Sequence, residues 1–288
     1  MLQPSLFLLL IVLAVYGLHR LTLLAHFRWG SGELGSETPG AAVDEPMITV
    51  QLPLFNERTV AARLIQAAAD LRWPRDRFEL QILDDSTDET CGIVDDEVQK
   101  LGARGIRAVV VRRNTRAGFK AGALDAGMKL SDADLFCVFD ADFIPDPDFL
   151  ERTVPQFRDP KVGMVQARWG HLNRDENQFT RAQSTLLDGH FVVEHTVRHS
   201  RGLFFNFNGT AGIWRRATID EAGGWEHDTL TEDLDLSYRA QLVGWKFVYF
   251  PNVVAPAEVP PSIDAFKSQQ HRWAKGSVQV YRKLWRRI

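Results

Sequence analysis

The chain has 288 residues, of which 45% are hydrophobic and 25% charged, an ordinary globular composition with enough length for one large α/β domain. A formal net charge of −3 offers no electrostatic case for nucleic-acid binding, so no nucleic-acid partner is expected. The cysteines, Cys91 and Cys137, are far apart, lack metal-ligand spacing and read as buried thiols of a reducing compartment.

From Leu2 to Leu18 the N-terminus carries no charge, and from Leu6 to Leu18 it is continuously apolar except for Gly17, until His19 and Arg20 interrupt. This length makes a slightly short transmembrane helix whose end Arg20 escapes by snorkelling. A secretory signal would carry a basic residue before the apolar run, and none is present. Arg20 and Arg28 follow the run, so the positive-inside rule puts the main domain in the cytosol. The expected organisation is an anchor over 1–28, a linker over 29–46 rich in Gly, Pro and acids, a catalytic domain over 47–262, and an amphipathic interface helix over 263–288.

Beyond the linker, strands and helices alternate. Met47 to Leu52 is predicted as a strand, Glu57 to Leu71 as a helix, and Phe78 to Leu83 as a strand running into Asp84 and Asp85. A helix over Glu89 to Leu101, a strand over Ile106 to Val111, a helix over Lys120 to Leu130 and a strand over Leu135 to Phe139 follow. Such alternation predicts an α/β fold, a mostly parallel sheet with helices on both faces, with ligands at the carboxyl ends of its strands. The second half is less regular: a strand from Val162 to Trp169, a long helix from Gln178 to His199, a loop over Asn208 to Gly212, a helix from Glu232 to Val243, a strand from Lys246 to Phe250, and a helix from Ile263 to Leu284.

Several constellations carry chemistry. Asp140 and Asp142 alternate on an extended segment after a strand, so their carboxylates converge. Unpaired, they repel; Mg²⁺ or Mn²⁺, with a diphosphate, is the natural partner, against the plain alternative of a solvated acidic turn. Asp84 and Asp85 end a strand where acids accept hydrogen bonds from a nucleoside, while Ser86 to Asp88 cap the next helix. The Gly118 to Ala123 segment combines glycines with Lys120, which suits a phosphate or, equally, tight helix-on-sheet packing. Thr231-Glu232-Asp233 opens a helix; one acid can serve as a general base, or all can simply cap and complement the helix end. Gln269, Arg272 and Trp273 share a helical face, where Arg suits a pyrophosphate and Trp a sugar ring.

All of these occur in one chain in one order, and that order resembles the processive family 2 glycosyltransferases of the cellulose-synthase superfamily, with their D, DxD, TED and QxxRW motifs. The flanking text, Gln51 to Glu57, Leu83 to Asp88, Phe207 to Gly212 and Glu221 to Trp225, looks like the mannan/glucomannan-synthase (cellulose-synthase-like A) branch. The resemblance runs from about Met47 to Val280. It implies a nucleotide-diphospho-sugar transferase (GT-A-like) domain and inverting transfer of a hexose from GDP-mannose or UDP-glucose to a growing β-linked polysaccharide, at a membrane. That membrane would be plasma or inner membrane in a bacterium, Golgi in a plant. Carried over by position, Asp85, with Asp84 beside it, contacts the nucleoside, and Lys120 lies near the donor. Asp140 and Asp142 bind diphosphate and metal, and Asp233 is the catalytic base. Gln269 and Arg272 hold the diphosphate, Trp273 the acceptor, and Phe207, Asn208, Gly209 and Thr210 lie at the acceptor end. Family members continue past the QxxRW helix into transmembrane helices that form a polymer channel. Here the given sequence ends at Ile288, which implies either a longer protein or a partner that supplies the channel. A haloacid-dehalogenase-type phosphohydrolase shares the D-x-D after a strand but explains neither TED nor QxxRW. A non-catalytic membrane scaffold leaves the intact acids unexplained.

Overall fold

The computed structural model describes residues 4–30 and 45–287. The linker expected over 29–46 falls largely at 31–44, outside the described residues. The domain is built on a seven-stranded sheet: β1 (Ile48–Leu54), β2 (Phe78–Asp84), β3 (Ala108–Val111), β4 (Leu135–Val138), β5 (Val162–His171), β6 (Gly212–Arg215) and β7 (Lys246–Ala257), in spatial order β3-β2-β1-β4-β6-β5-β7. All neighbours pair parallel except β6, which runs antiparallel to both β4 and β5.

The helices are α1 (Pro4–Gly30), α2 (Ala61–Ala69), α3 (Thr90–Ala103), α4 (Phe119–Lys129), α5 (Phe149–Thr153), α6 (Gln178–Asp188), α7 (Thr196–Ser200), α8 (Arg216–Glu221), α9 (Glu232–Leu242) and α10 (Ile263–Leu284). They cover both faces of the sheet. Alternate residues of a strand point to opposite faces. Thus Ile48, Val50, Leu52 and Leu54 meet α2, α3 and α5 through Leu64, Val94 and Phe149. On the other face, Phe136, Val138 and Trp214 join Leu124 of α4 and Leu236 of α9. Gln51 is buried in β1 but satisfied: its Nε2 donates to Gln81 Oε1 at 3.1 Å and to the Leu124 carbonyl at 3.2 Å, tying α4 to the sheet.

The structure departs from the sequence reading in several elements. β6 falls where a loop was expected to end; four residues are too short to show a period, and only its two sheet neighbours make it a strand. β7 continues past Pro251 and Pro256 to Ala257, because the missing N–H of a proline is tolerated on an edge strand. The expected helix over Gln178 to His199 is broken by a π-helical stretch, Gly189–His195, between α6 and α7. α2 begins at Ala61, after a turn over 57–60, instead of at Glu57.

Among the described residues one helix is long and apolar enough to cross a membrane, Leu6–Arg28 within α1. Its apolar side chains are nearly all exposed; Leu23 is buried, and Arg20 pairs with Glu194 of the π-helical stretch at 2.7 Å.

Candidate active site

A cleft of about 770 Å³ opens at the carboxyl ends of β1, β2 and β4, roofed by α10 and the turn before α9. Asp85, Lys120, Asp140, Asp142, Asn208, Gly209, Asp233, Gln269, Arg272 and Trp273 all line it. Residues separated by almost two hundred positions in sequence thus converge because parallel strands deliver their ends to one edge.

Asp85 follows β2 and is clamped by Arg113: Nε donates to Oδ1 at 3.0 Å and Nη2 to Oδ2. The same guanidinium reaches the carbonyls of Ala117 and Phe119 at 2.7 and 2.9 Å, which fixes the loop leading into α4. Beside it, the Arg116 guanidinium lies 3.4 Å from the centroid of Phe55, an apolar and cationic wall at the cleft mouth. Lys120, in the first turn of α4, donates to Asp140 Oδ1 and to the Gly209 carbonyl at 2.9 Å. Asp140 is anchored through its backbone N–H, which donates to Thr210 Oγ1 at 2.8 Å.

Acids outnumber their cationic partners here. Burial, then the neighbouring Asp140, pushes the Asp142 carboxyl up to about 7. Burial, then Glu232, pushes Asp233 up to about 7 as well, although its Oδ1 accepts the Leu234 N–H at 2.8 Å. Glu57 is raised by burial, Asp140 and Asp88. Lys120 keeps its charge: burial opposes it, but Asp140, Glu232 and Asp233 together raise its pKa. Asp140 and Asp142 are hard oxygen donors under mutual repulsion, so the pair fits Mg²⁺ or Mn²⁺, and a cation there would relieve the elevation of Asp142. A carboxylate poised near neutrality, as Asp233 is, can take a proton from a hydroxyl.

Close backbone approach assembles the side of the cleft around Gly209 and Asp233. Gly209 has φ +83°, and a Cβ there would lie 3.2 Å from Asp233 Oδ2, so glycine serves both the left-handed turn and the space beside the acid. At Gly276 of α10 a Cβ would come within 2.5 Å of the Thr231 side chain, so α10 seats directly on the turn carrying Glu232 and Asp233. That seating brings Gln269, Arg272 and Trp273 over the cleft, one helical face as expected.

Three residues singled out in sequence have no face on the cleft. Asp84 is buried, accepting from Arg112 Nε at 2.9 Å and from the Ser86 N–H at 3.1 Å, so it shapes the end of β2. Phe207 is fully buried edge-on to Trp214, with ring centroids 5.6 Å apart, and belongs to the core. Thr210 is buried and holds Asp140 from behind. Conversely, sequence reading passed over Arg113, Arg116, Phe55 and Glu57. The basic run Arg112-Arg113 directly after β3 was a signal for the clamp on Asp85. Nothing local foretold the Arg116–Phe55 contact, which joins two loops.

The family model described as "Glycosyltransferase like family 2" matches residues 46–276. Glucomannan 4-beta-mannosyltransferase 2 of Arabidopsis thaliana is 48% identical over 244 residues, 83% of this chain and 46% of that protein. Probable glucomannan 4-beta-mannosyltransferase 10 of the same plant is 44% identical over 257 residues, 88% of this chain and again 46% of the relative. The chain therefore spans about half the length of the curated relatives it matches. Among solved structures, the mannosyltransferase PcManGT from Pyrobaculum calidifontis, in complex with GDP-Man and Mn2+, superposes with a TM-score of 0.76 at 22% identity, covering 96% of this chain and 74% of that one. S. aureus TarS 1-349 in complex with UDP-GlcNAc gives 0.54 at 17% identity over 75% of this chain and 59% of that one. The fold is thus of the GT-A-like kind, and the chain belongs to the family 2 glycosyltransferases.

Proposed function

We propose that this chain is the catalytic part of a membrane-bound inverting hexosyltransferase that moves a sugar from a nucleoside-diphosphate donor to a hydroxyl of a growing β-linked polysaccharide, with GDP-mannose the favoured donor over UDP-glucose. The observation that carries this reading is the convergence of Asp85, Lys120, Asp140, Asp142, Asp233, Arg272 and Trp273 on one cleft. A phosphohydrolase needs neither the α9 acid nor the α10 face. The plant relatives' name, glucomannan 4-beta-mannosyltransferase, and the GDP-Man bound by PcManGT support mannose.

In this reading Asp85, held by Arg113, receives the nucleoside, with Phe55 and Arg116 beside the base. Lys120 and Arg272 face the diphosphate, and Gln269 accompanies Arg272. Asp140 and Asp142 would hold a divalent cation, which would neutralise charge developing on the leaving diphosphate. Asp233 takes the proton of the acceptor hydroxyl, Trp273 offers its ring face to the acceptor sugar, and Asn208 and Gly209 line the acceptor end. Positioning and stabilisation of the leaving group supply most of the acceleration. Attack and departure on opposite faces of the anomeric carbon give inversion.

Anchoring follows from α1, with the domain on the cytosolic side, at the Golgi in a plant-like cell or the plasma membrane in a bacterium. α10 supports contact with lipid: Val280 and Leu284 face inward, while Ile263, Val278, Tyr281 and Trp285 are exposed along a helix with basic residues in its last turn.

The test is nucleoside-diphosphate release by detergent-purified protein with Mn²⁺ or Mg²⁺, from GDP-mannose and from UDP-glucose. Release from one donor, lost in Asp233→Asn and Asp142→Ala, is the expected result. Absence of both release and binding for every nucleotide sugar overturns the reading.

A further inference from the structure

Behind Asn208 lies a run of polar groups for which donor chemistry has no use. Asn208 Nδ2 donates to His195 Nε2 at 2.9 Å, which makes that nitrogen an acceptor. His190 Nε2 sits 2.9 Å from the same His195 Nε2 and 3.1 Å from Asn208 Oδ1, so it is the donor to both. The other His190 nitrogen, Nδ1, faces Glu194 Oε2 at 3.4 Å. Glu194 in turn accepts from Arg198 Nε at 3.0 Å and from Arg20 Nη1 of α1 at 2.7 Å. A continuous polar path therefore joins the apolar N-terminal helix to the wall of the cleft.

The π-helical backbone makes this path possible. Residues five apart diverge on an α-helix, whereas i→i+5 hydrogen bonding brings them together, and His190 and His195 meet with ring centroids 4.3 Å apart. His195 is fully buried, stacked on Phe191 and Tyr249, and cannot rotate away. Glu194 is only 14% exposed. Burial alone would raise its pKa, yet His190, Arg198 and Arg20 hold it well below the usual carboxylate range, so it stands as a charged hub. In a low-dielectric network of this kind, loss of one member leaves the next without a partner.

We infer that Glu194 is a positioning residue: pinned by Arg20 of α1, it orients His190, which with His195 holds the Asn208 amide and so fixes the Asn208–Gly209 turn at the acceptor end of the cleft, and acceptor binding therefore depends on how α1 is seated. The inference rests on the transferase reading and on Asn208 lying at the acceptor end. The donor subsite, built on Arg113, Lys120 and the Asp140–Asp142 pair, makes no direct hydrogen bond to the side chains of the path; its ties run through the backbone of Gly209 and through Gln166 and Thr210, so loss of Glu194 should reach it far less than the acceptor end.

The experiment uses the full chain in detergent, with GDP-mannose (or UDP-glucose, whichever is turned over) and a β-1,4-linked manno-oligosaccharide as acceptor probe. It compares Glu194→Gln, Arg20→Gln, the double variant and Arg20→Lys. Expected for Glu194→Gln is an acceptor KM raised about tenfold, with donor KM and acceptor-free donor hydrolysis within about twofold of wild type. Arg20→Gln should shift the acceptor KM in the same direction, the double variant no further than Glu194→Gln alone, and Arg20→Lys should restore it. Parallel loss of hydrolysis and transfer, an unchanged acceptor KM, or fully additive effects would overturn the inference. A wild-type chain that turns over no donor would overturn the transferase reading and this proposal with it, whereas an active wild type with indifferent variants overturns this proposal alone.

Discussion

Two acidic clusters in this molecule contain the same side chains and serve opposite ends. At the base of α10, Lys283 Nζ lies within 3.1 Å of carboxylate oxygens of Glu226, Asp228 and Asp235, and Arg239 Nε adds a 2.8 Å bond to Asp235. Those three acids stand close enough to cage a metal ion, but their charge is answered from within the chain. In the cleft, Asp140, Asp142, Glu232 and Asp233 share Lys120 nearby, and Asp142 and Asp233 are left raised to about 7. A neutralised cluster fastens helices together; a cluster short of cations leaves room for a ligand to bring them.

The sharpest way to break that contrast is to remove an acid from each side. Asp233→Asn should lower the rate of sugar transfer by about 10²–10⁴-fold, the usual range for a lost general base, while leaving donor binding in place. The same substitution should raise thermal stability at pH 8. A carboxyl whose pKa is lifted on folding costs stability as pH climbs from its unfolded value toward 7, and the amide escapes that cost. A variant that is both less active and less stable would mean that Asp233 is structural, like Asp235.

Lys283→Met makes the opposite change. It should destabilise the fold by roughly 1–3 kcal/mol, because Glu226 and Asp228 lose their shared cation while buried Asp235 keeps Arg239. Added Mn²⁺ should recover part of the melting temperature of this variant through the acidic trio, and do so less in wild type. No stabilisation by metal would show that the trio's geometry is set by the ammonium and not suited to an ion.

A pH profile probes the cleft alone. With Asp233 near 7 and required as the carboxylate, transfer should fall about tenfold per unit as pH drops below 7 and level off above it. A profile flat down to pH 5 would contradict the elevated acid. The smallest effect is expected from Trp273→Ala, about a tenfold rise in acceptor KM with donor KM unchanged, measured with the same oligosaccharide.

Much of the fold was legible in the sequence because β1, β2 and β4 are buried strands of strong apolar character, and α2 between the first two shows a clear apolar face. Asp85, Asp140 and Asp142 stand at strand ends and match the family's motifs by position; strand ends and resemblance together singled them out, and all three line the cleft. Asp84 misled because a pair of adjacent acids does not say which one faces out. The strand alternates, and the buried one turned to Arg112 while its neighbour turned to the cleft. Phe207 and Thr210 misled for the same reason within a loop: Asn208 and Gly209 line the cleft while the residues flanking them pack behind it.

What the sequence determined by itself was the local content: an apolar N-terminal helix, an alternating α/β core, and an ordered set of acids, glycines and a Gln-Arg-Trp face. Each of these depends on side chains within a few positions of one another, where periodicity and capping act. What only the tertiary structure decided was which acids go without a cation of their own, how α10 comes to sit on Thr231 through Gly276, and how π-helical turns carry Arg20 to Asn208. Those outcomes depend on distances between segments far apart in the chain, and desolvation and Coulomb energies are set by such distances, not by sequence spacing.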